Sequence, residues 1–227
     1  SRPILALRHL KIKAGEKIAI LGRNGAGKST LLQLLAGMQS PSNGSVHLDG
    51  LDISLIDPAD VRRDMALLNQ NAHLFYGTIR ENLTLGAPLA KDDDILKALK
   101  VTGALGFVQE KKEGLDHLVL EGGVGFSGGQ KQALLLARLL IRQPNILLLD
   151  EPTAAIDDIA EKQLIDHLKG WLGHRTLVVA THRRAVLELV DRIIVMNEGK
   201  VVMDGPRDQV LNQSAGQQKQ IKQKKHK

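Results

Sequence analysis

A glycine-rich turn that ends in a lysine and two hydroxyl residues lies near the start of the chain. The turn is GRNGAGKST, residues 22–30, and it follows the apolar run 18–21 and leads into a helix-like segment. Its spacing is typical of loops that hold phosphate groups, because glycines let the backbone N–H groups point inward. Lys28 would place a cation against the outer phosphates, and the Ser29 hydroxyl would reach Mg²⁺. The predicted phosphate-binding residues are Gly22, Arg23, Asn24, Gly25, Ala26, Gly27, Lys28, Ser29 and Thr30.

Two adjacent carboxylates form the second candidate group. They end the segment NILLLDE, residues 145–151, whose apolar run is typical of a buried strand. Such a strand would deliver Asp150 to the carboxyl edge of a parallel sheet, where the sites of α/β proteins lie. There Asp150 would hold Mg²⁺ directly or through water, and Glu151 would polarise an attacking water as general base. The alternative interpretation is a strand followed by a solvated acidic turn.

A second glycine-rich turn, EGGVGFSGGQ at residues 121–130, opens another apolar helix but contains no lysine. Ser127 and Gln130 have the spacing of a capping box, in which each side chain bonds the other residue's backbone. Gly128 and Gly129 would occupy the first helical turn at about 1 kcal/mol each relative to alanine. Because a cap alone does not need them, their presence favours a phosphate that approaches the backbone.

Strand-like runs that alternate with amphipathic helical segments predict a mostly parallel, three-layer α/β core. The more polar residues from about 71 to 130 are expected to form an inserted helical lobe. A strand in which polar and apolar residues alternate is expected at 10–13, and a helix is expected at 184–191. Further strands are expected at 18–21, 65–70, 145–150 and 176–182, further helices at 28–37, 92–105, 128–142 and 160–172, and a hairpin at 192–205.

Composition argues against several classes of protein. The chain has 227 residues, no cysteine and no apolar run long enough to span a bilayer, so we expect a soluble chain without disulfides. The net charge is +6, and the last twelve residues contain five lysines and no acidic residue. Without these five lysines the net charge is only +1. The Lys/Gln-rich residues 213–227 are therefore expected to be a disordered tail. With few aromatic residues to stack on bases, no nucleic-acid partner is predicted.

The motifs and their order along the chain resemble those of the nucleotide-binding domain of ATP-binding cassette (ABC) proteins, over residues from about 4 to 211. GRNGAGKS resembles the Walker A loop, ILLLDE the Walker B strand, and FSGGQ the family's LSGGQ signature with Phe126 in place of leucine. AAID resembles the D-loop, in which Asp157 is the acidic residue. The resemblance implies a P-loop NTPase (RecA-like) core over residues 1–212, with a small antiparallel β subdomain. It also implies that Gln70 contacts Mg²⁺ and water and that His182, which follows the apolar run 176–181, contacts the γ-phosphate.

The resemblance implies an ATPase that uses ATP and Mg²⁺ in a head-to-tail homodimer. The Walker A loop of one chain would face the signature residues of a second nucleotide-binding domain, namely Phe126, Ser127, Gly128, Gly129 and Gln130. Segments 74–86 and 121–123 resemble exporter segments that meet the transmembrane domains. Segment 204–211 resembles the closing segment of bacterial type I secretion and related peptide or protein exporters. The implied location is the cytoplasmic side of the inner membrane, beside a transmembrane domain that this chain lacks. The alternatives are an importer ATPase, a non-transport ABC protein on DNA or ribosomes, and a regulatory module without turnover.

One part of the family pattern is missing, because no aromatic residue precedes Phe75 to stack on the adenine ring. We therefore expect a fragment that lacks the first strand of the domain. Losing such a stack costs about 1–3 kcal/mol. The sequence thus predicts weak nucleotide affinity and poor discrimination between ATP and GTP.

Overall fold

A six-stranded β-sheet forms the centre of the computed structural model, which describes residues 4–213. Five of its strands are parallel, and the edge strand pairs in antiparallel fashion with its neighbour. The strands are β1 (Lys17–Leu21), β2 (His47–Leu48), β3 (Leu51–Asp52), β4 (Met65–Leu68), β5 (Gly77–Thr78), β6 (Leu118–Val119), β7 (Ile146–Asp150), β8 (Thr176–Ala180), β9 (Arg192–Asn197) and β10 (Lys200–Pro206).

Helices cover both faces of this sheet. The helices are α1 (Lys28–Leu35), α2 (Pro58–Asp64), α3 (Ile79–Thr84), α4 (Asp92–Thr102), α5 (Leu105–Gln109), α6 (Gly128–Leu140) and α7 (Asp158–Leu172), and 207–213 is also helical. Short 3-10 turns lie at Ile53–Leu55, Gly114–Asp116, Glu121–Gly123 and Ala185–Leu189. Within residues 4–213, no helix has the length and apolar character needed to cross a membrane.

The strand order β10-β9-β1-β8-β7-β4 brings several strand ends together. Leu68 of β4 lies opposite Leu149 of β7, and Asp150 lies opposite Ala180 of β8. Because β1, β4, β7, β8 and β9 are parallel, their carboxyl ends meet at one edge of the sheet. Residues that follow these strands are therefore neighbours in space although they are far apart in the sequence.

The two faces of the sheet bury two separate apolar clusters, because successive side chains of a strand point to opposite faces. In β1, Ile18 and Ile20 pack on the face covered by α1 and α2, whereas Ala19 packs on the face covered by α6 and α7. The α4 helix packs against α6 and α7. This arrangement confirms the predicted α/β fold with a mostly parallel sheet and small antiparallel sheets (β2-β3 and β5-β6).

Two of the predicted elements are wrong. Residues 10–13 form no strand; Leu10 and Ile12 are instead partly buried against the cluster on the α1 side. The helix expected at 184–191 is only the 3-10 turn Ala185–Leu189, because the chain must reach β9 within a few residues. Residues 71–130, for which an inserted helical lobe is predicted, contain α3, α4 and α5 together with β5 and β6. Residues 214–227 of the predicted tail lie outside the described residues.

Candidate nucleotide-binding and hydrolysis site

The predicted phosphate loop joins β1 to α1, and its glycines occupy positions that a side chain could not. Gly25 and Gly27 have φ angles of 79° and 95°, in the left-handed region that favours glycine. A Cβ atom on Gly22 would lie 2.5 Å from the carbonyl oxygen of Met196, and one on Gly27 would lie 2.6 Å from Leu5 Cδ2. Gly22 and Gly27 therefore have little room for a side chain, whereas Gly25 has space for one and is restricted only by its φ angle. Such a loop can act as a backbone cradle for phosphates.

Lys28 is the first residue of α1 and is buried under the loop, with 8% of its surface exposed. Its Nζ donates hydrogen bonds to the carbonyl oxygens of Gly22 at 2.8 Å and Arg23 at 3.4 Å. The N-cap residue of α1 is Gly27, so no side chain caps the first N–H groups of the helix. Uncapped N–H groups beside an ammonium group form a site that suits an anion.

Asp150 ends β7 and is almost fully buried, with 4% of its surface exposed. Burial raises the pKa of its carboxyl group, and a hydrogen bond with Ser29 opposes this rise. Of the nearby charges, Glu151 adds to the rise in the pKa and Lys28 opposes it. A cation beside this desolvated carboxylate would stabilise its ionised form.

The donor set around Asp150 fits Mg²⁺ rather than a metal held only by protein groups. Among the described residues, no group of three or more His, Cys, Asp or Glu side chains could hold a metal. Mg²⁺ sites in phosphate-transferring proteins use one or two protein oxygens, with waters and substrate phosphates completing the shell. The Ser29 hydroxyl and the Asp150 carboxylate are such oxygens.

Glu151 has a strained backbone conformation, of the kind that is often found at functional sites. Its φ angle is +51°, and its N–H donates to the carbonyl oxygen of Ala180 at 2.9 Å, which fixes the turn after β7. Only 13% of its side chain is exposed. Glu151 Oε2 lies 2.9 Å from His182 Nδ1, yet the contact lacks hydrogen-bond geometry, and this buried oxygen has no hydrogen-bond partner in the described chain. A buried carboxylate oxygen without a donor can accept a proton from a water or hydroxyl group.

The structure brings His182 and Gln70 to the same edge as the carboxylates. His182 lies two residues beyond β8, and 70% of its side chain is exposed. Gln70 lies two residues beyond β4 and is also exposed. The phosphate loop, Asp150, Glu151 and these two residues thus surround the carboxyl ends of four neighbouring strands.

The second glycine turn opens α6, and its capping box is confirmed. Gln130 N donates to Ser127 Oγ at 3.2 Å, and Ser127 N donates to Gln130 Oε1 at 3.0 Å. Ser127 and Gly128 are exposed, whereas Phe126 is buried. The Phe126 ring lies edge-on to Phe107, with centroids 6.2 Å apart, so this side chain anchors the turn rather than facing a ligand.

Gly128 and Gly129 have a neighbour within their own chain. A Cβ atom on Gly128 would lie 3.1 Å from Ala155 Cβ, and one on Gly129 would lie 3.3 Å from the Ala155 carbonyl oxygen. The inference that only an approaching phosphate explains these glycines is therefore incomplete, because close packing against Ala155 also favours them. Asp157, two residues later, caps α7 by accepting from Ile159 N and Ala160 N.

Arg183, which the sequence did not single out, ties the segment after β8 to the start of α7. Its guanidinium donates to the Ile156 carbonyl oxygen at 3.0 Å, to Asp158 Oδ1 at 3.2 Å and to Glu161 Oε2 at 3.3 Å. The carboxylate of Glu161 is 5% exposed. The only feature of the sequence that could have indicated this role is the position of Arg183 directly after His182.

Arg138 of α6 was missed as well and holds the segment that follows Gln70. Its guanidinium donates to both the carbonyl oxygen and the Oδ1 of Asn82 and to the His73 carbonyl oxygen, and burial lowers its pKa. The buried Asn82 amide in turn donates to the carbonyl oxygen of Phe75 at 2.8 Å. Phe75 and the adjacent Tyr76 remain exposed on this supported segment.

The chain is similar to proteins of known family. The sequence profile of the ABC transporter family matches residues 7–154, and the chain belongs to this family. The leukotoxin translocation ATP-binding protein LktB of Mannheimia glucosida is 39% identical over 208 residues, which cover 92% of this chain and 29% of LktB. An export ATP-binding/permease protein of Rickettsia conorii is 38% identical over 217 residues, covering 94% of this chain and 38% of that protein.

A solved structure of a bacterial Atm1-family ABC exporter with ATP bound has the same fold, with a TM-score of 0.83 and 32% sequence identity. The match covers 88% of this chain and 35% of that exporter chain. The chain thus spans roughly a third of the length of the relatives it matches.

Proposed function

We propose that this chain is the ATP-hydrolysing domain of an exporter, and that it converts ATP and water to ADP and phosphate on the cytoplasmic side of a bacterial inner membrane. The observation that carries this proposal is the convergence of a lysine-containing phosphate loop with Asp150, Glu151 and His182 at one sheet edge. The relatives named for leukotoxin translocation and for export support the transport class.

The proposed mechanism consists mainly of positioning and charge stabilisation. Ser29, Asp150 and Gln70 would hold Mg²⁺, which supplies charge neutralisation to the phosphates. Lys28 and the loop N–H groups bind the β- and γ-phosphate oxygens. Glu151 orients the attacking water and accepts its proton. Its Oε2, which lies 2.9 Å from His182 Nδ1 but accepts no hydrogen bond within the described chain, is the atom assigned to that role.

The exposure of His182 supports its role at the γ-phosphate. Its imidazole is largely solvent-exposed beside Glu151, so it can contact a phosphate without first leaving a buried site. Loss of this contact after hydrolysis would report the change from ATP to ADP. ATP can shift a conformational equilibrium only through contacts made in one of the two states.

A second copy of the domain would complete the site. In a head-to-tail dimer, the exposed Ser127 and Gly128 at the start of α6 would face the Walker A loop of the other chain, and the exposed Asp157 would lie near the same interface. The exposed ring pair Phe75–Tyr76 would face the transmembrane partner. A monomer should then bind ATP yet hydrolyse it slowly.

The test compares Glu151→Gln and Lys28→Ala with the parent chain. Glu151→Gln should abolish phosphate release, keep ATP binding and stabilise an ATP-bound dimer in size-exclusion chromatography, whereas Lys28→Ala should lose binding. Glu188→Gln, at an exposed position in the 3-10 turn, is the matched control and should keep full turnover. Parental turnover in Glu151→Gln would refute the general-base assignment. Activity strictly proportional to protein concentration, down to dilutions without dimer, would refute the composite site.

A further inference from the structure

The phosphate loop contains an Asn–Gly pair, Asn24–Gly25, and the sequence has one other, Asn43–Gly44, between α1 and β2. We propose that Asn24 is a site of spontaneous deamidation, that this modification disables nucleotide binding, and that bound nucleotide protects Asn24. The protection and the loss of binding rest on the proposed function, whereas the reactivity of Asn24 does not.

The chemistry needs no enzyme and no co-reactant except water. The backbone nitrogen of the residue after asparagine attacks the side-chain amide carbon, forms a five-membered imide and expels ammonia, which carries away the proton of that nitrogen. Water then opens the imide at either carbonyl, which gives aspartate or isoaspartate. Glycine in the second position makes the attack easiest, because no Cβ atom hinders the nitrogen and the backbone rotates freely.

The structure leaves this pair open to the reaction. Asn24 and Gly25 are both exposed, and a Cβ atom built on Gly25 would meet nothing within 4 Å. Among the hydrogen bonds of residues 4–213, none uses the Gly25 N–H, so the attacking nitrogen is free; the turn is closed instead by Ala26 N donating to the Arg23 carbonyl oxygen at 3.1 Å. By contrast, Asn82 is buried, hydrogen-bonded through its amide and followed by leucine.

Either product would impair the loop. Aspartate at position 24 adds a negative charge to a turn whose N–H groups and Lys28 are arranged for anions. A like charge about 4 Å from a phosphate weakens binding by about fivefold even in bulk water, and by more where water is excluded. Isoaspartate adds a methylene group to the main chain between Asn24 and Gly25. That insertion shifts the spacing of the loop amides relative to Lys28, on which phosphate binding depends.

Bound nucleotide should protect Asn24 selectively, because the phosphates would fix the loop and occupy its inward N–H groups. With MgADP at about 100 times its Kd, only about 1% of the sites are free, so the rate at Asn24 should fall up to about 100-fold. Asn43 lies outside the phosphate loop and should react at the same rate with or without MgADP. The second pair is therefore an internal control in the same molecule.

The experiment incubates the full chain at mildly alkaline pH with and without MgADP and quantifies both sites by peptide mass spectrometry. The expected result is modification of both pairs without nucleotide and of Asn43 alone with MgADP. In the nucleotide-free samples, loss of MgADP binding should track modification of Asn24, and the Asn43→Ser control should lose binding at the parental rate.

An intact Asn24 beside a modified Asn43 would overturn the inference, as would parental MgADP affinity in Asn24→Asp. The inference would also be overturned if Asn24 were modified at the same rate with and without MgADP in protein that demonstrably binds MgADP. Failure of the proposed function is distinguishable, because fresh, unmodified protein would then fail to bind MgADP at all.

Discussion

Replacing Arg183 with alanine is expected to destabilise the protein by about 3–5 kcal/mol, because it leaves a buried carboxylate without its partner. Glu161 is 5% exposed, its Oε2 lies 3.3 Å from the Arg183 guanidinium, and its Oε1 already lacks a hydrogen-bond partner in the described chain. The bridge to Asp158 adds little, since that carboxylate is 95% exposed and such pairs contribute about 0–1 kcal/mol. Nearly all of the loss therefore comes from Glu161 and from the Ile156 carbonyl oxygen.

The loss is measured by urea unfolding, followed by the fluorescence of the single tryptophan, and by thermal unfolding. For a chain of this size, 1 kcal/mol corresponds to about 2–4 °C, so the melting temperature should fall by roughly 6–20 °C. Arg184→Ala, at the adjacent exposed arginine, is the matched control and should stay within about 0.5 kcal/mol of the parent.

The double variant Arg183→Met/Glu161→Leu separates a buried charge from simple loss of contacts. Because it removes both members of the pair, it should recover most of the lost stability, since apolar replacements of buried pairs are often neutral or stabilising. The reasoning is refuted if Arg183→Ala costs less than about 1 kcal/mol, or if the double variant is no more stable than the single one.

Asp150→Asn should stabilise the nucleotide-free protein at neutral pH. Burial raises the pKa of Asp150 above its ordinary 3.8, so the contribution of this group to parental stability is lost as pH rises from 3.8 through the raised pKa, and the variant lacks that loss. If the urea midpoints of the parent and the variant changed by the same amount from acidic to neutral pH, this prediction would be wrong. Phe126→Ala should cost about 3–5 kcal/mol in thermal unfolding, and Phe126→Leu should cost less because it keeps part of the apolar volume. A loss below about 1 kcal/mol in Phe126→Ala would exclude the ring anchor. Gly128→Ala should lower the free energy of unfolding by at least about 0.5 kcal/mol less in an Ala155→Gly background than in the parent, because the crowding Cβ atom is then absent. If the effects of the two substitutions on the free energy of unfolding were additive, the contact with Ala155 would not be what disfavours a side chain at position 128.

The parts of the site that depend on local spacing could be predicted from the sequence. The apolar runs before Gly22 and Glu151 specify buried strands, and parallel pairing of such strands then places their ends at one edge. The Ser127–Gln130 capping box is equally local, because its two members are three residues apart.

Contacts between distant segments could not be predicted in this way. Arg138 and Asn82 are 56 residues apart, and an arginine in the middle of an apolar helix gives no indication of which carbonyl it will meet. The same holds for Gly128, whose packing partner Ala155 is known only once α6 and the turn after β7 are in place. The strand expected at 10–13 failed for a related reason, since its alternating pattern reflects partial burial without a neighbouring strand.

The hydrogen bonds around Phe75 and Tyr76 have a mechanical consequence. Tyr76 N donates to Glu121 Oε2, and Gly122 N donates to the Leu74 carbonyl oxygen, so this exposed segment is fastened directly to the residues that lead into the signature turn. The same segment follows Gln70 along the chain. A force applied at the two rings is therefore transmitted both along the chain toward Gln70 and across these hydrogen bonds to the residues before α6, so the two segments should move together.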